Sequence, residues 1–236
     1  MDFPELAKEL IERKFSLAKY FLEPVCFTPT NTVGFLFTGI FLFEKNVITS
    51  TIIAGGFSCR FGEAKEIYVY KGKPLLRYAV ELAKKISKNF IAVMNEHNHP
   101  LIPSDFPIVP DIIKESGPLA GIHTALVYAE TPYIAVIPCD MPNLTMEIYE
   151  LLYYHLDPQK PVAAMSFNGP EPMVSIWPKN IIPVAEKLLL ARKLEMKKVL
   201  MELDAGTIDI QANMENYSPD LFLNINSKED LKLIGS

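Results

Sequence analysis

The sequence predicts a layered α/β fold, on three observations. From Val47 onward, strand-like and helix-like segments alternate, the pattern of helices packed on a sheet. The strand-like run 47–53 opens directly into a glycine-rich loop, Ala54-Gly55-Gly56-Phe57-Ser58-Cys59-Arg60-Phe61-Gly62-Glu63-Ala64-Lys65. Such a strand-to-loop junction is where α/β sheets hold ligands. With 236 residues, the chain can form one large α/β domain or two small ones.

Two parts separate by pattern: an extension, 1–46, and a main domain, 47–236. Residues 4–22 read as an amphipathic helix with Leu6, Leu10, Leu17 and Phe21 on one face. The turn Thr28-Pro29-Thr30-Asn31-Thr32 leads into an apolar run at 33–43, too short to span a membrane. The main domain opens with a strand at 48–54 and a helix at 74–87. A strand at 89–94 and a short one at 107–110 follow. Gly117-Pro118 stops the next loop and starts a helix over 119–129. The apolar run Ile134-Ala135-Val136-Ile137 marks a buried strand at 132–138, followed by a helix at 145–156. Strands at 161–166 and 171–177 precede one or two helices within 180–203. A strand near 206–211 comes next. A short helix from Ser227, with Asp230 three residues later, closes the chain. There is no internal repeat and no low-complexity tract.

Composition narrows the function classes. The apolar share of 49% and the charged share of 22% are those of an ordinary folded protein. The net charge of −5, with no basic block, argues against non-specific nucleic-acid binding. Cys26, Cys59 and Cys139 are widely spaced and form no Cys-x-x-Cys pair, so neither a zinc site nor a disulfide framework is expected. A reducing cytoplasm fits best. His97 and His99 could hold a metal on an extended segment, or be polar loop residues. The acidic N-terminus (Asp2, Glu5, Glu9) lacks the order of a signal peptide, and no membrane association is expected.

The glycine loop carries the strongest chemical signal. Gly55, Gly56 and Gly62 let a ligand approach the main chain. Successive N–H groups form an anion-binding nest, and Arg60 and Lys65 add the charge a nucleoside triphosphate requires. The loop is not a Walker loop, because Glu63-Ala64 follows Gly62. Its spacing also differs from the dinucleotide Gly-x-Gly-x-x-Gly pattern. The plainer alternative is a strand-to-helix turn with two solvated cations.

Three more motifs fall at strand ends. Asp111 ends the strand at 107–110 and is followed by Glu115-Ser116-Gly117-Pro118-Leu119-Ala120-Gly121-Ile122, where Gly121 admits a ligand or a neighbouring backbone. Asp140, in Pro138-Cys139-Asp140-Met141-Pro142, is directed by flanking prolines. It suits a magnesium ligand beside phosphates, or a cap for the next helix. In Phe222-Leu223-Asn224-Ile225-Asn226, two amides share one side of a strand. They could read a substrate or be turn residues before the last helix.

In this order, the loop 54–65, Gly72-Lys73-Pro74-Leu75-Leu76, Asp111, Gly117-Pro118-Leu119-Ala120-Gly121-Ile122, Cys139-Asp140-Met141-Pro142 and Asn224-Ile225-Asn226-Ser227-Lys228-Glu229-Asp230-Leu231 resemble the molybdenum cofactor guanylyltransferases over about residues 48–233. The glycine loop alone is similar to that of many sugar-phosphate nucleotidylyltransferases and of the molybdenum cofactor cytidylyltransferases. The Gly-Pro-Leu-Ala-Gly-Ile and Asn-x-Asn elements narrow the resemblance.

The resemblance implies a three-layer α/β/α, Rossmann-like fold of the nucleotide-diphospho-sugar transferase type, with a mostly parallel mixed sheet. It implies GMP transfer from GTP to molybdenum-molybdopterin, with release of pyrophosphate. Ala54, Gly55 and Gly56 would contact guanine and ribose. Arg60, Gly62 and Lys65 would hold the triphosphate. Asn95 and Asp111 would line the base pocket, Asp140 would bind Mg2+, and Asn224 and Asn226 would face the pterin. Ala-Gly-Gly, where cytidylyl enzymes usually carry Ala-Ala-Gly, points to GTP. Cofactor-delivery proteins are the implied partners.

The sequence departs from the family pattern at Cys59, Phe61 and Ala64, and with Asn-Ser-Lys in the last motif. None of these removes a charge the mechanism needs. Cys59 would be reactive if Arg60 lowered its pKa, and is otherwise an inert loop thiol. The resemblance leaves out residues 1–46. These are either a genuine extension, packing on the core or on a second subunit, or the product of a start site placed too far upstream. The competing functions are nucleotidylyl transfer to another phosphorylated acceptor, such as a sugar phosphate, and nucleotide binding without catalysis.

Overall fold

The computed structural model of the chain describes residues 46–54, 67–94, 101–226 and 230. All belong to one unit of the chain, Glu44–Ser236. The helix expected at 4–22, the apolar run 33–43 and most of the helix expected from Ser227 lie outside the described residues.

A seven-stranded sheet forms the middle layer, in the order β5-β4-β1-β6-β8-β7-β9. Its strands are β1 (Ile48–Ile53), β4 (Asn89–Val93), β5 (Ile108–Val109), β6 (Tyr133–Pro138), β7 (Val162–Ser166), β8 (Gly169–Pro178) and β9 (Gly206–Asp209). β5, β4, β1 and β6 are mutually parallel, β8 opposes β6 and β7, and β9 is parallel to β7. β8 is thus the one reversed strand of a mostly parallel mixed sheet, as expected. The small hairpin of β2 (Val69–Tyr70) and β3 (Lys73–Pro74) stands apart. Its two-residue turn places Lys71 and Gly72 at φ 44° and 79°. Two successive positive φ angles match the right-handed twist of a tight hairpin, and glycine supplies one without strain.

The central strands are buried on both faces. All six residues of β6 are buried, and so are the first five of β1. The polar residues of β1 are mostly satisfied there. Thr49 Oγ1 lies 2.7 Å from Thr131 Oγ1, and Ser50 Oγ donates to the Ala83 carbonyl at 3.0 Å.

Helices cover both faces. α1 (Leu75–Ile86) buries Leu75, Leu76, Ala79, Val80, Leu82, Ala83 and Ile86, a helical stripe laid on β1. α2 (Gly117–Tyr128) buries every residue from Leu119 to Leu126, because it lies between the sheet and α4 (Ile182–Leu190). α2, α4 and α5 (Met196–Glu202) share one core with Val93, Ile134, Val136 and Trp177. α1 packs with α3 (Met146–Tyr154) in the other layer. There, the Tyr149 hydroxyl donates to the Val136 carbonyl at 2.8 Å, and burial holds its pKa well above 10.

Most expected elements stand within a few residues of their predicted bounds, and three details differ. α2 starts at Gly117 (φ 64°), two residues earlier than predicted. The strand expected at 206–211 ends at Asp209, whose carboxylate accepts the Ala212 N–H at 3.0 Å and caps a short helix, α6 (Ile210–Asn213). Residues 223–226 follow a 3-10 turn (Pro219–Phe222) and form no strand.

Candidate active site

The strand order creates a switch point. From β1 the chain builds outward to β4 and β5, then returns through α2 to add β6 on the opposite side of β1. In such sheets the carboxyl ends of the two strands at the reversal diverge and leave a crevice for ligands. Here those ends are Ile53-Ala54 and Pro138-Cys139-Asp140, with Ile53 in register with Pro138.

Ala54 is buried, and its N–H donates to the Val93 carbonyl at 3.1 Å. This bond fixes the point where the glycine loop leaves the sheet. The Met94 N–H likewise donates to the Val109 carbonyl at 3.1 Å and fixes the departure of the Asn95 segment. Gly55, Gly56, Arg60, Gly62, Lys65 and Asn95 themselves lie outside the described residues, as do Cys59, His97 and His99.

Asp140 sits half-buried just past β6. The alternative of a helix cap is not met, because the N-cap position of α3 is Thr145, five residues beyond Asp140. The Ile225 N–H donates to the Asp140 carbonyl at 2.9 Å, and Asn143 Nδ2 donates to the Asp220 carbonyl at 2.9 Å. These bonds draw the Asn-Ile-Asn segment to the end of β6. Although the segment is not a strand, Asn224 and Asn226 are exposed and Ile225 is fully buried between them. Both amides therefore face away from the core, as an alternating pattern requires.

Asp111 follows β5 and precedes α2. Its Oδ1 is buried and makes no hydrogen bond among the described residues. Burial raises its carboxyl pKa above 3.8. A carboxylate so placed is short of a donor. The loop after it leads to Ser116, buried at the start of α2. Sequence reasoning missed Arg192, which brings Nη1 to 3.3 Å from Ser116 Oγ. It lies in the loop after α4, outside every motif, and its positive φ of 55° is visible only in the fold.

Gly121, expected to admit a ligand or a neighbouring backbone, stands close to the end of β1. A Cβ there would lie 2.9 Å from Ile53 Cγ2. The missing side chain lets α2 press against the end of β1, so the close neighbour is protein, not ligand.

Among the described residues, no group of three or more His, Cys, Asp or Glu side chains could hold a metal, and no helix is long and apolar enough to cross a membrane. A single carboxylate is nevertheless the donor set Mg2+ takes when phosphates and waters complete its shell, and Asp140 fits that requirement.

A switch-point crevice is a ligand site that many α/β enzymes share; the family match makes this one a nucleotidyltransferase. The chain belongs to the MobA-like NTP transferase domain family, whose pattern matches residues 50–206. A relative from Flavobacterium johnsoniae, named "Probable molybdenum cofactor guanylyltransferase", is 26% identical over 185 residues, covering 78% of this chain and 94% of its own length. One of the same name from Carboxydothermus hydrogenoformans is 29% identical, over 78% of this chain and 92% of its own. The crystal structure of molybdopterin-guanine dinucleotide biosynthesis protein A from Archaeoglobus fulgidus superposes with a TM-score of 0.66 at 21% identity, covering 78% of this chain and 95% of that one. The family resemblance carried by the motifs is thus borne out, and so is the fold it implies.

Proposed function

We propose that this chain transfers GMP from GTP to molybdenum-molybdopterin, forming the guanine dinucleotide cofactor and pyrophosphate. The observation that carries the proposal is the main-chain bond between Ile225 and Asp140. It fastens the segment that carries the two exposed amides to the main chain of Asp140 at the switch point, which supports that reading. The names of the relatives support the choice of substrates.

The nucleophile is an oxygen of the acceptor's phosphate monoester, largely ionised at neutral pH because its second pKa is about 6. It bonds to the α-phosphorus of GTP as the bond to the bridging oxygen breaks and pyrophosphate leaves. No general base is needed. The barrier is electrostatic, since two anions must meet. Arg60 and Lys65, with the main chain of Gly62, would hold the triphosphate and offset that charge. Asp140 would hold Mg2+, which supplies further neutralisation of the phosphates. Ala54, Gly55, Gly56, Asn95 and Asp111 receive the nucleoside, and Asn224 and Asn226 receive the pterin.

In this reading residues 47–236 are the catalytic domain and 1–46 an extension to it. The enzyme works in the cytoplasm and hands its product to cofactor-delivery proteins.

The test is pyrophosphate release with Mg2+ and molybdenum-molybdopterin, comparing GTP, CTP, ATP and UTP. Release with GTP alone is expected. Preference for CTP keeps the mechanism but overturns the base assignment. Silence with every nucleotide, followed by turnover with a sugar 1-phosphate, overturns the acceptor.

A further inference from the structure

Asp111 Oδ1 has no partner among the described residues, and the place from which its side chain starts is set by the main chain on either side. Upstream, β5 is fixed by its pairing with β4 and by the bond from the Met94 N–H to the Val109 carbonyl. Pro110 then restricts the next φ angle. Downstream, one hydrogen bond holds the peptide after Asp111: the Ile112 N–H donates to Thr124 Oγ1 at 3.0 Å. Thr124 is fully buried in α2. It lies one turn beyond Gly121 and on the same side of the helix, where Gly121 meets Ile53 at the end of β1. One rigid helix therefore sets the spacing between the root of the glycine loop and the segment that carries Asp111.

We infer that Thr124 is a positioning residue for nucleotide recognition: by holding the Ile112 peptide, it aims the Asp111 carboxylate at N–H or O–H donors of the bound nucleoside. The inference rests on the proposal that Asp111 lines the nucleoside pocket. Thr124 itself touches no substrate. Its hydroxyl is an acceptor that valine, of nearly the same shape, does not offer.

The experiment measures GTP and pyrophosphate affinity by calorimetry in Mg2+ for four proteins: wild type, Thr124→Val, Thr124→Ser and Asp111→Asn. Thr124→Val should weaken GTP by about tenfold, since an acceptor bond of about 1.4 kcal/mol is lost. Thr124→Ser keeps the oxygen and should bind GTP as wild type does. Pyrophosphate, which lacks a nucleoside, should bind all four equally. Thr124→Ala repeats the measurement if valine strains the buried peptide and the protein does not fold.

If Asp111→Asn weakens GTP while Thr124→Val does not, the positioning role falls and the pocket assignment stands. If Asp111→Asn binds GTP normally, the pocket assignment falls and takes the inference with it. A parallel loss of GTP and pyrophosphate in Thr124→Val, or failure of serine to restore binding, overturns the inference in favour of a purely structural role.

Discussion

The Ile225 N–H donates to the Asp140 carbonyl at 2.9 Å, and the Ile225 side chain is fully buried with Tyr68, Tyr70 and Leu75. Tyr70 belongs to the hairpin that follows the glycine loop, and Leu75 opens α1. One residue thus joins three segments: main chain to the end of β6, side chain to the small core beneath the hairpin, and exposed amides on either side.

Ile225→Ala should therefore cost about 2–4 kcal/mol, the usual loss for truncating a buried isoleucine. Ile225→Val should cost about 1 kcal/mol. Urea unfolding of both variants measures this. An alanine variant as stable as wild type would show that the Asn-Ile-Asn segment is not fastened to the core through Ile225.

Asp140 is half-exposed, so its charge can be removed without leaving a buried hole. Asp140→Asn should keep its melting temperature within a few degrees and lose about a hundredfold or more in kcat, as expected when one stabiliser of transition-state charge is removed. Steady-state pyrophosphate release at saturating Mg2+ decides it. Near-normal turnover in the folded variant would defeat the metal-binding role.

Much of this was legible in the sequence because buried parallel strands and amphipathic helices leave strong patterns. The apolar run of β6 and the alternation after Val47 were enough to put Asp140 and the glycine loop each just past a strand, whereas the strand order that makes a switch point of those two ends is visible only in the fold. What stayed dark depends on contacts distant in the chain. Thr124 looks like any helix residue until Ile112 lies beside it. Gly121 reads as a glycine that admits either a ligand or a neighbouring segment until Ile53 fills the space. The end of β9 was misplaced because a single aspartate, Asp209, caps a helix where the apolar pattern runs on as a strand.

Gly121→Ala tests the helix–strand contact. Alanine favours helix over glycine by about 1 kcal/mol. Its Cβ, however, would sit 2.9 Å from a branched carbon of Ile53, and overpacking of this kind costs about 1–3 kcal/mol. The clash should win, giving a net loss of about 1 kcal/mol. Shifting Ile53 also moves the root of the glycine loop, so KM for GTP should rise. A double-mutant cycle with Ile53→Ala should show positive coupling as the clash is relieved. Additive effects would mean that the two residues do not touch.

Asp111 gives a pH-dependent prediction with a definite sign. Burial raises its pKa above 3.8 in the folded protein, while the unfolded chain ionises near the ordinary value. Between those two pKa values the folded state binds more protons than the unfolded state, so stability falls as pH rises through the interval. The penalty is complete once pH exceeds the folded pKa. Asp111→Asn carries no such charge. The unliganded variant should match wild type near pH 3 and be the more stable protein near pH 7, by a modest amount because the group is only part-buried. Saturating GTP should reverse the order at neutral pH, because wild type gains binding energy that the variant lacks. Urea melts across that range, with and without GTP and Mg2+, measure both effects. A variant whose advantage is constant with pH, or greatest in acid, would show that the buried charge is not what Asp111 costs the fold.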